Sequence, residues 1–213
     1  MQTISYAITC HNELGELRRL LDQLLLYVRP EDEIVIQQDI PGDGSQEYAS
    51  TWELIDLYAS KHKDTIKVVH HRLNKDFAQF KNNIKSHCTK DYVFFIDADE
   101  TLAEGLISNL PYILEENEVD LFVIPRANTV KGLTEDHIKQ WGWRIDNGLV
   151  NWPDFQGRLI KNTDEVYWIG KVHERIVGYQ TISQFPADTL DWCLHHDKDI
   201  IKQEKQNNLY NTI

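Results

Sequence analysis

The chain has 213 residues, 41% hydrophobic and 26% charged, with ten glycines and six prolines; this composition excludes a disordered or tandem-repeat protein and suits one folded domain. Its 34 acidic residues outnumber 22 basic ones, and a formal net charge of −12 repels a phosphate backbone, so no general nucleic-acid binding is expected. Three scattered cysteines, Cys10, Cys88 and Cys193, form no Cys-x-x-Cys pattern, which excludes a disulfide framework and a zinc knuckle and leads us to expect a reducing, cytoplasmic setting.

The apolar, β-branched run Ile4–Cys10 reads as a strand, followed by Leu14, Leu17, Leu20, Leu21, Leu24 and Val28 at helical spacing up to Pro30. Residues 33–38 make a second strand, ended by Asp39 and the turn-rich stretch Pro41, Gly42, Asp43, Gly44 and Ser45. A helix with Tyr48, Trp52, Ile55 and Ala59 along one side follows, then a strand over 66–70, a helix over 76–87 carrying Phe77, Phe80 and Ile84, and a buried strand over 92–96. This alternation predicts an α/β domain with a mostly parallel sheet and helices on both faces.

A helix over 103–116 and a strand over 120–125 complete the regular pattern. Residues 128–154, rich in Trp, Gly and polar groups, are expected to form a mobile loop or acceptor-side lid. Short strands over 158–161 and 166–168 suggest a smaller β extension of the same sheet, and a polar helix over 199–210 runs to the end of the sequence without a stop signal, as if the domain were cut from a longer protein. No window of about 18 apolar residues is present, so no membrane span is expected.

Chemistry concentrates where strands end. Asp97 and Asp99 follow the strand over 92–96 and offer hard oxygen ligands of the kind Mg²⁺ or Mn²⁺ takes, although acidic residues there also cap helices. Asp39 falls at the same sheet edge, where a carboxylate can accept hydrogen bonds from a base or ribose, or merely initiate a turn. His11, Asn12 and Glu13 follow the first strand; Asn12 is suited to capping the next helix. Lys81 is a candidate cation near phosphate. Glu174, beside His173, is a candidate general base unless it is tied to Arg175 or Lys171. His195 and His196 are candidate imidazole ligands, and Lys198 a phosphate contact. Trp141, Trp143, Trp152, Phe155 and Trp168 exceed the packing needs of so short a region, and one or two of them suit the apolar face of a sugar.

Four elements in order, ISYAITCHNE, Asp39 with DGS behind it, FAQFKNN and DYVFFIDADE, resemble glycosyltransferase family 2, the nucleotide-sugar enzymes of GT-A fold, and WPDFQGRLIKN, VYWIGKVHERI and LHHDK extend the resemblance to about residues 3–200. The resemblance implies one GT-A domain over 1–213, with a nucleotide-sugar-binding half over 1–100 and an acceptor-binding half over 101–213. Carried over by position, Thr9, His11, Glu13 and Asp39 would surround the nucleoside, Lys81 would approach the donor, and Asp97 with Asp99 would hold the ribose and a metal-bound diphosphate in a DXD motif. His196 would lie near a late metal or phosphate ligand, and Glu174, or Asp154 as second choice, would be the base. The implied reaction is metal-dependent (Mn²⁺ or Mg²⁺) transfer, with inversion, of a sugar from a nucleoside-diphosphate sugar (UDP-sugar first) to a glycan or protein-linked glycan. A sugar nucleotidyltransferase and a noncatalytic carbohydrate-binding domain remain as alternatives.

Overall fold

The computed structural model describes residues 1–40 and 48–210. Its N-terminal portion alternates β1 (Ile4–Cys10), α1 (Leu14–Tyr27), β2 (Glu33–Asp39), α2 (Ala49–Lys61), β3 (Ile66–His71), α3 (Phe77–Ser86) and β4 (Tyr92–Asp97). The remainder comprises β5 (Glu100–Leu102), α4 (Glu104–Glu116), β6 (Leu121–Lys131), α5 (Glu135–Trp141), β7 (Ile145–Asp146), β8 (Leu149–Lys161), β9 (Tyr167–Ile169), β10 (Arg175–Val177), β11 (Ile182–Gln184), β12 (Leu194–Asp199) and α6 (Ile200–Tyr210).

One sheet carries both portions in the order β3-β2-β1-β4-β8-β6-β12-β5, with β7 and β11 attached to β8 and β6. From β3 to β4 all neighbours are parallel, so their C-terminal ends share one edge. β8 enters antiparallel between β4 and β6, which carries its side chains past the end of β4.

The two sheet faces explain the helices. Ile4, Tyr6 and Ile8 of β1 point to the face that buries Leu17, Leu20, Leu21 and Leu24 of α1 together with Leu106, Leu110 and Leu114 of α4. Ala7 of β1 and Val93 and Phe95 of β4 point to the other face, against Ala78 and Ile84 of α3. Period 2 in the strands and period 3.6 in the helices therefore meet across one core, and burying each such leucine contributes about 1.5–3 kcal/mol before entropy is counted.

Some boundaries and faces differ from expectation. α2 buries Thr51, Leu54 and Ile55, and Trp52 lies outside that stripe with its ring 4.5 Å from His70. The region over 128–154 is not an unstructured lid: β6 runs to Lys131, α5 has a Thr134–His137 capping box and a left-handed Gly142 at its C-terminus, and β8 begins at Leu149. The polar side chains of these strands face a cleft, so the apolar alternation that marks a half-buried strand is missing. No helix is long and apolar enough to cross a membrane, among the described residues.

Candidate active site

The parallel strand ends bring Thr9, His11, Glu13, Asp39 and Asp97 to one edge of the sheet. Asp39 accepts a hydrogen bond from the Leu73 backbone N–H at 2.8 Å, and its other oxygen lies 3.3 Å from His11 Nδ1. That contact with Asp39 raises the His11 pKa, against the opposing effect of burial. Asn12 is not the helix cap: Glu13 occupies that position, and its carboxylate accepts from the His11 N–H at 2.7 Å instead of capping the helix. Asp43, Gly44 and Ser45 lie outside the described residues.

The acidic segment after β4 is not a helix cap either, because α4 starts at Glu104 behind Ala103. Asp97 is engaged at both oxygens: Thr9 Oγ1 donates at 3.2 Å and Lys81 Nζ lies 3.8 Å from Oδ1, while Arg158 Nη2 donates to Oδ2 at 2.8 Å. Burial alone would raise this carboxyl, but the Arg158 and Lys81 charges outweigh it and hold its pKa well below the usual aspartate value. Asp97, expected to hold the ribose and to share the metal, thus has Thr9, Lys81 and Arg158 as protein partners. Glu100, fully buried, accepts from Arg158 Nη2 at 2.6 Å and Arg126 Nη1 at 3.2 Å, and Arg126 also grips Asp154 Oδ2 through Nε at 3.0 Å and Nη2 at 2.8 Å.

Asp99 points elsewhere. Its Oδ2 lies 3.4 Å from His196 Nε2, whose other ring nitrogen is 2.7 Å from Asn128 Oδ1. Burial pushes the Asp99 pKa up, and the hydrogen bond and charge of His196 override it to give a net lowering. His195 does not join this pair. Neighbouring strand residues face opposite sides of a sheet, and His195 sits beside Cys193 Sγ at 3.9 Å, away from the cleft. No group of three or more His, Cys, Asp or Glu side chains is arranged to hold a metal ion, among the described residues. Asp99 and His196 nevertheless form a carboxylate–imidazole pair at the spacing of neighbouring ligands on one ion, a donor set that Mn²⁺ accepts and that leaves positions for phosphate oxygens.

Across the cleft, Glu174 accepts from Lys81 Nζ at 2.7 Å, rather than pairing with Arg175 or Lys171. Lys81 is buried within α3 and stands 4.5 Å above the Trp168 ring, which contacts Phe95 edge-on at 5.2 Å. The loop that presents Glu174 contains Gly170 and His173 in the left-handed region, at φ +94° and +54°. For a histidine this conformation is strained, and the position flanks the candidate base. Asp154, the second candidate, also accepts from Asn128 Nδ2 at 2.9 Å and Gln156 Nε2 at 2.7 Å, and its pKa is lowered as Arg126 overcomes burial. A carboxylate so fully engaged is a poor proton acceptor.

One cleft of about 1190 Å³ is lined by Thr9, His11, Glu13, Asp39, Lys81, Asp97, Asp99, Asp154, Glu174 and His196. Of the five aromatic residues singled out in sequence, Trp143, Phe155 and Trp168 line it; Trp141 and Trp152 do not. Arg126, Asn128, Gln156 and Arg158 also line it and are absent from the sequence-derived set. The signal for two of them was Asp154-x-Gln156-x-Arg158, polar residues at period 2 on one face of a strand.

Residues 5–185 match the family model described as Glycosyl transferase family 2. Among solved structures, TarS 1-349 of S. aureus aligns at TM-score 0.60 and 13% identity over 92% of this chain and 60% of that one. The same protein in complex with UDP-GlcNAc aligns at TM-score 0.59 and 14% identity over 93% of this chain and 59% of that one. This chain thus spans about three fifths of those structures. The shared fold is that of the GT-A glycosyltransferases. No curated protein sequence matches the chain.

Proposed function

Because the chain belongs to glycosyl transferase family 2, we propose that it transfers a sugar, with inversion, from a nucleoside-diphosphate sugar to a hydroxyl of a glycan or protein-linked glycan. One observation carries the reading: Glu174 and the Asp99–His196 pair face one cleft from separate elements, while Asp97 between them is already neutralised by Lys81 and Arg158. This separates an acceptor-side base from a leaving-group side, as a direct displacement requires.

In this mechanism Thr9, His11, Glu13 and Asp39 hold the nucleoside at the strand ends, in the half over 1–100. Asp39 accepts from base or ribose. Glu174 takes the proton of the acceptor hydroxyl; the hydroxyl oxygen then bonds to the anomeric carbon as its bond to the diphosphate breaks, and the electron pair leaves with the nucleoside diphosphate. The single displacement inverts the configuration. Asp99 with His196 would hold Mn²⁺ or Mg²⁺, which when bound supplies positive charge to the departing diphosphate. Lys198, buried enough that its pKa is lowered, stands near Asp99 and adds a further cation. We take UDP-sugars as the first donors to test, since TarS was crystallised with UDP-GlcNAc and with UDP. Three unpaired thiols support a cytoplasmic setting.

The test is thermal stability of the purified chain against UDP-, GDP- and CDP-sugars, with Mn²⁺ and with chelator, beside an Asp99→Ala variant. A shift for one nucleotide that needs metal and vanishes in the variant is the expected result. Stabilisation by free sugar alone would point to a noncatalytic carbohydrate-binding domain.

A further inference from the structure

A chain of hydrogen bonds on the cleft wall fixes the orientation of one imidazole. β12 runs parallel to β6 with His196 opposite Asn128, and β8 sets Asp154 opposite Arg126, so these four residues share one patch of the sheet. Burial would raise the Asp154 carboxyl, but the Arg126 charge and its hydrogen bonds outweigh it, so the group is ionised and can only accept. Arg126 Nε and Nη2 and Gln156 Nε2 hold it in place.

Each acceptor decides the group beyond it. Asp154 Oδ2 faces the amide nitrogen of Asn128 at 2.9 Å, because two oxygens there would repel, so Asn128 must present its Oδ1 on the other side. That oxygen can only accept, and it lies 2.7 Å from His196 Nδ1, so the ring carries a proton on Nδ1. In the neutral ring Nε2 is then left with a lone pair, 3.4 Å from Asp99 Oδ2. His196 is only 7% exposed, and two acceptors facing each other where water is scarce are satisfied only by a cation or a second proton.

Resting on the glycosyltransferase reading and its Asp99–His196 metal assignment, we propose that Asn128 and Asp154 are positioning residues for the divalent cation: they keep the His196 proton on Nδ1 and so leave the Nε2 lone pair facing Asp99. Asp154, the second candidate base in sequence, thereby acts through Asn128 rather than on the acceptor hydroxyl. Asn128→Leu removes the oxygen opposite Nδ1 at similar side-chain size and leaves Asp154 with Arg126 and Gln156.

The test pairs a spectroscopic signature with a binding measurement. Nitrogen-15 NMR of the histidine-labelled, metal-free chain, at an alkaline pH where the ring is neutral and with His196→Ala to assign the signal, reports which nitrogen bears the proton. Titration with Mn²⁺, followed by the electron spin resonance of the free ion, reports affinity, with circular dichroism as a check on folding. We expect Nδ1–H in wild type, Nε2–H or a mixture in Asn128→Leu, and Mn²⁺ binding about ten- to hundredfold weaker in that variant. An Nε2–H ring in wild type, or wild-type Mn²⁺ affinity in folded Asn128→Leu, overturns the inference and leaves the metal assignment standing. If wild type binds no Mn²⁺, or Asp99→Ala and His196→Ala bind it unchanged, the metal assignment falls and the inference with it. The transferase reading is tested separately, by the nucleotide-sugar melts. Where Asn128→Leu misfolds, Asn128→Ala takes its place.

Discussion

His11 shows how one side chain reports on the β1–β2 end of the cleft. Its pKa is raised because Asp39 lies 3.3 Å away, so the stability it confers is complete below its unfolded value of about 6.5 and is lost as pH rises through the raised folded value. A His11→Asn variant should therefore melt below wild type at pH 6, with the gap closing by pH 9; a gap that is constant across this range would show that the Asp39 contact does not titrate. His173 is a second local case. Its φ of +54° costs a non-glycine residue about 1 kcal/mol or more, and His173→Gly should raise the melting temperature while reducing transferase activity through a looser Glu174. A variant that is less stable than wild type would instead assign His173 a packing or hydrogen-bonding role that outweighs its strain. Glu174 itself was legible from VHE, but its partner was not: Lys81 is 93 residues away in sequence.

At the scale of elements, β6, β8 and β12 build the wall that sequence periodicity concealed. Their polar cleft-lining residues include Arg126 and Asn128, then Asp154, Gln156 and Arg158, then His196 and Lys198, each set two residues apart, with Phe155 and Gly157 lining the cleft between them. Because those positions are polar, β8 was legible only over 158–161, where it re-enters the core. β12 decides between adjacent histidines, sending His196 to Asp99 and His195 to Cys193. Glu100 ties the wall together. Removing it leaves Arg126 and Arg158 facing each other without their shared carboxylate, so Glu100→Ala should destabilise by about 3–5 kcal/mol, measured by urea unfolding. A loss under about 1 kcal/mol would mean that the two guanidinium groups are compensated elsewhere.

Over the whole molecule, stability and site share one sheet, and each constrains the other. Leu20, fully buried between α1 and the sheet, should cost about 2–5 kcal/mol when changed to Ala, with donor affinity intact in the folded fraction; coupled loss of affinity would show that the α1 packing shapes the cleft. Asp97, Asp99 and Asp154 all have lowered pKa values. The stability they supply is present above the unfolded aspartate value of about 3.9 and lost as pH falls through their lower folded values, so thermal melts should collapse below about pH 4. A flat profile from pH 5 to 3 would contradict this. The parallel β-α core was legible from residue order alone, because each of those strands and helices carries its own apolar period, and so was the placing of Asp39, Asp97 and Asp99 at strand ends, because a strand's end is a local property. Which oxygens of Asp97 were already taken, which histidine meets Asp99 and which cation holds Glu174 were decided only by the tertiary structure, because each depends on the register and facing of strands and helices far apart in the chain.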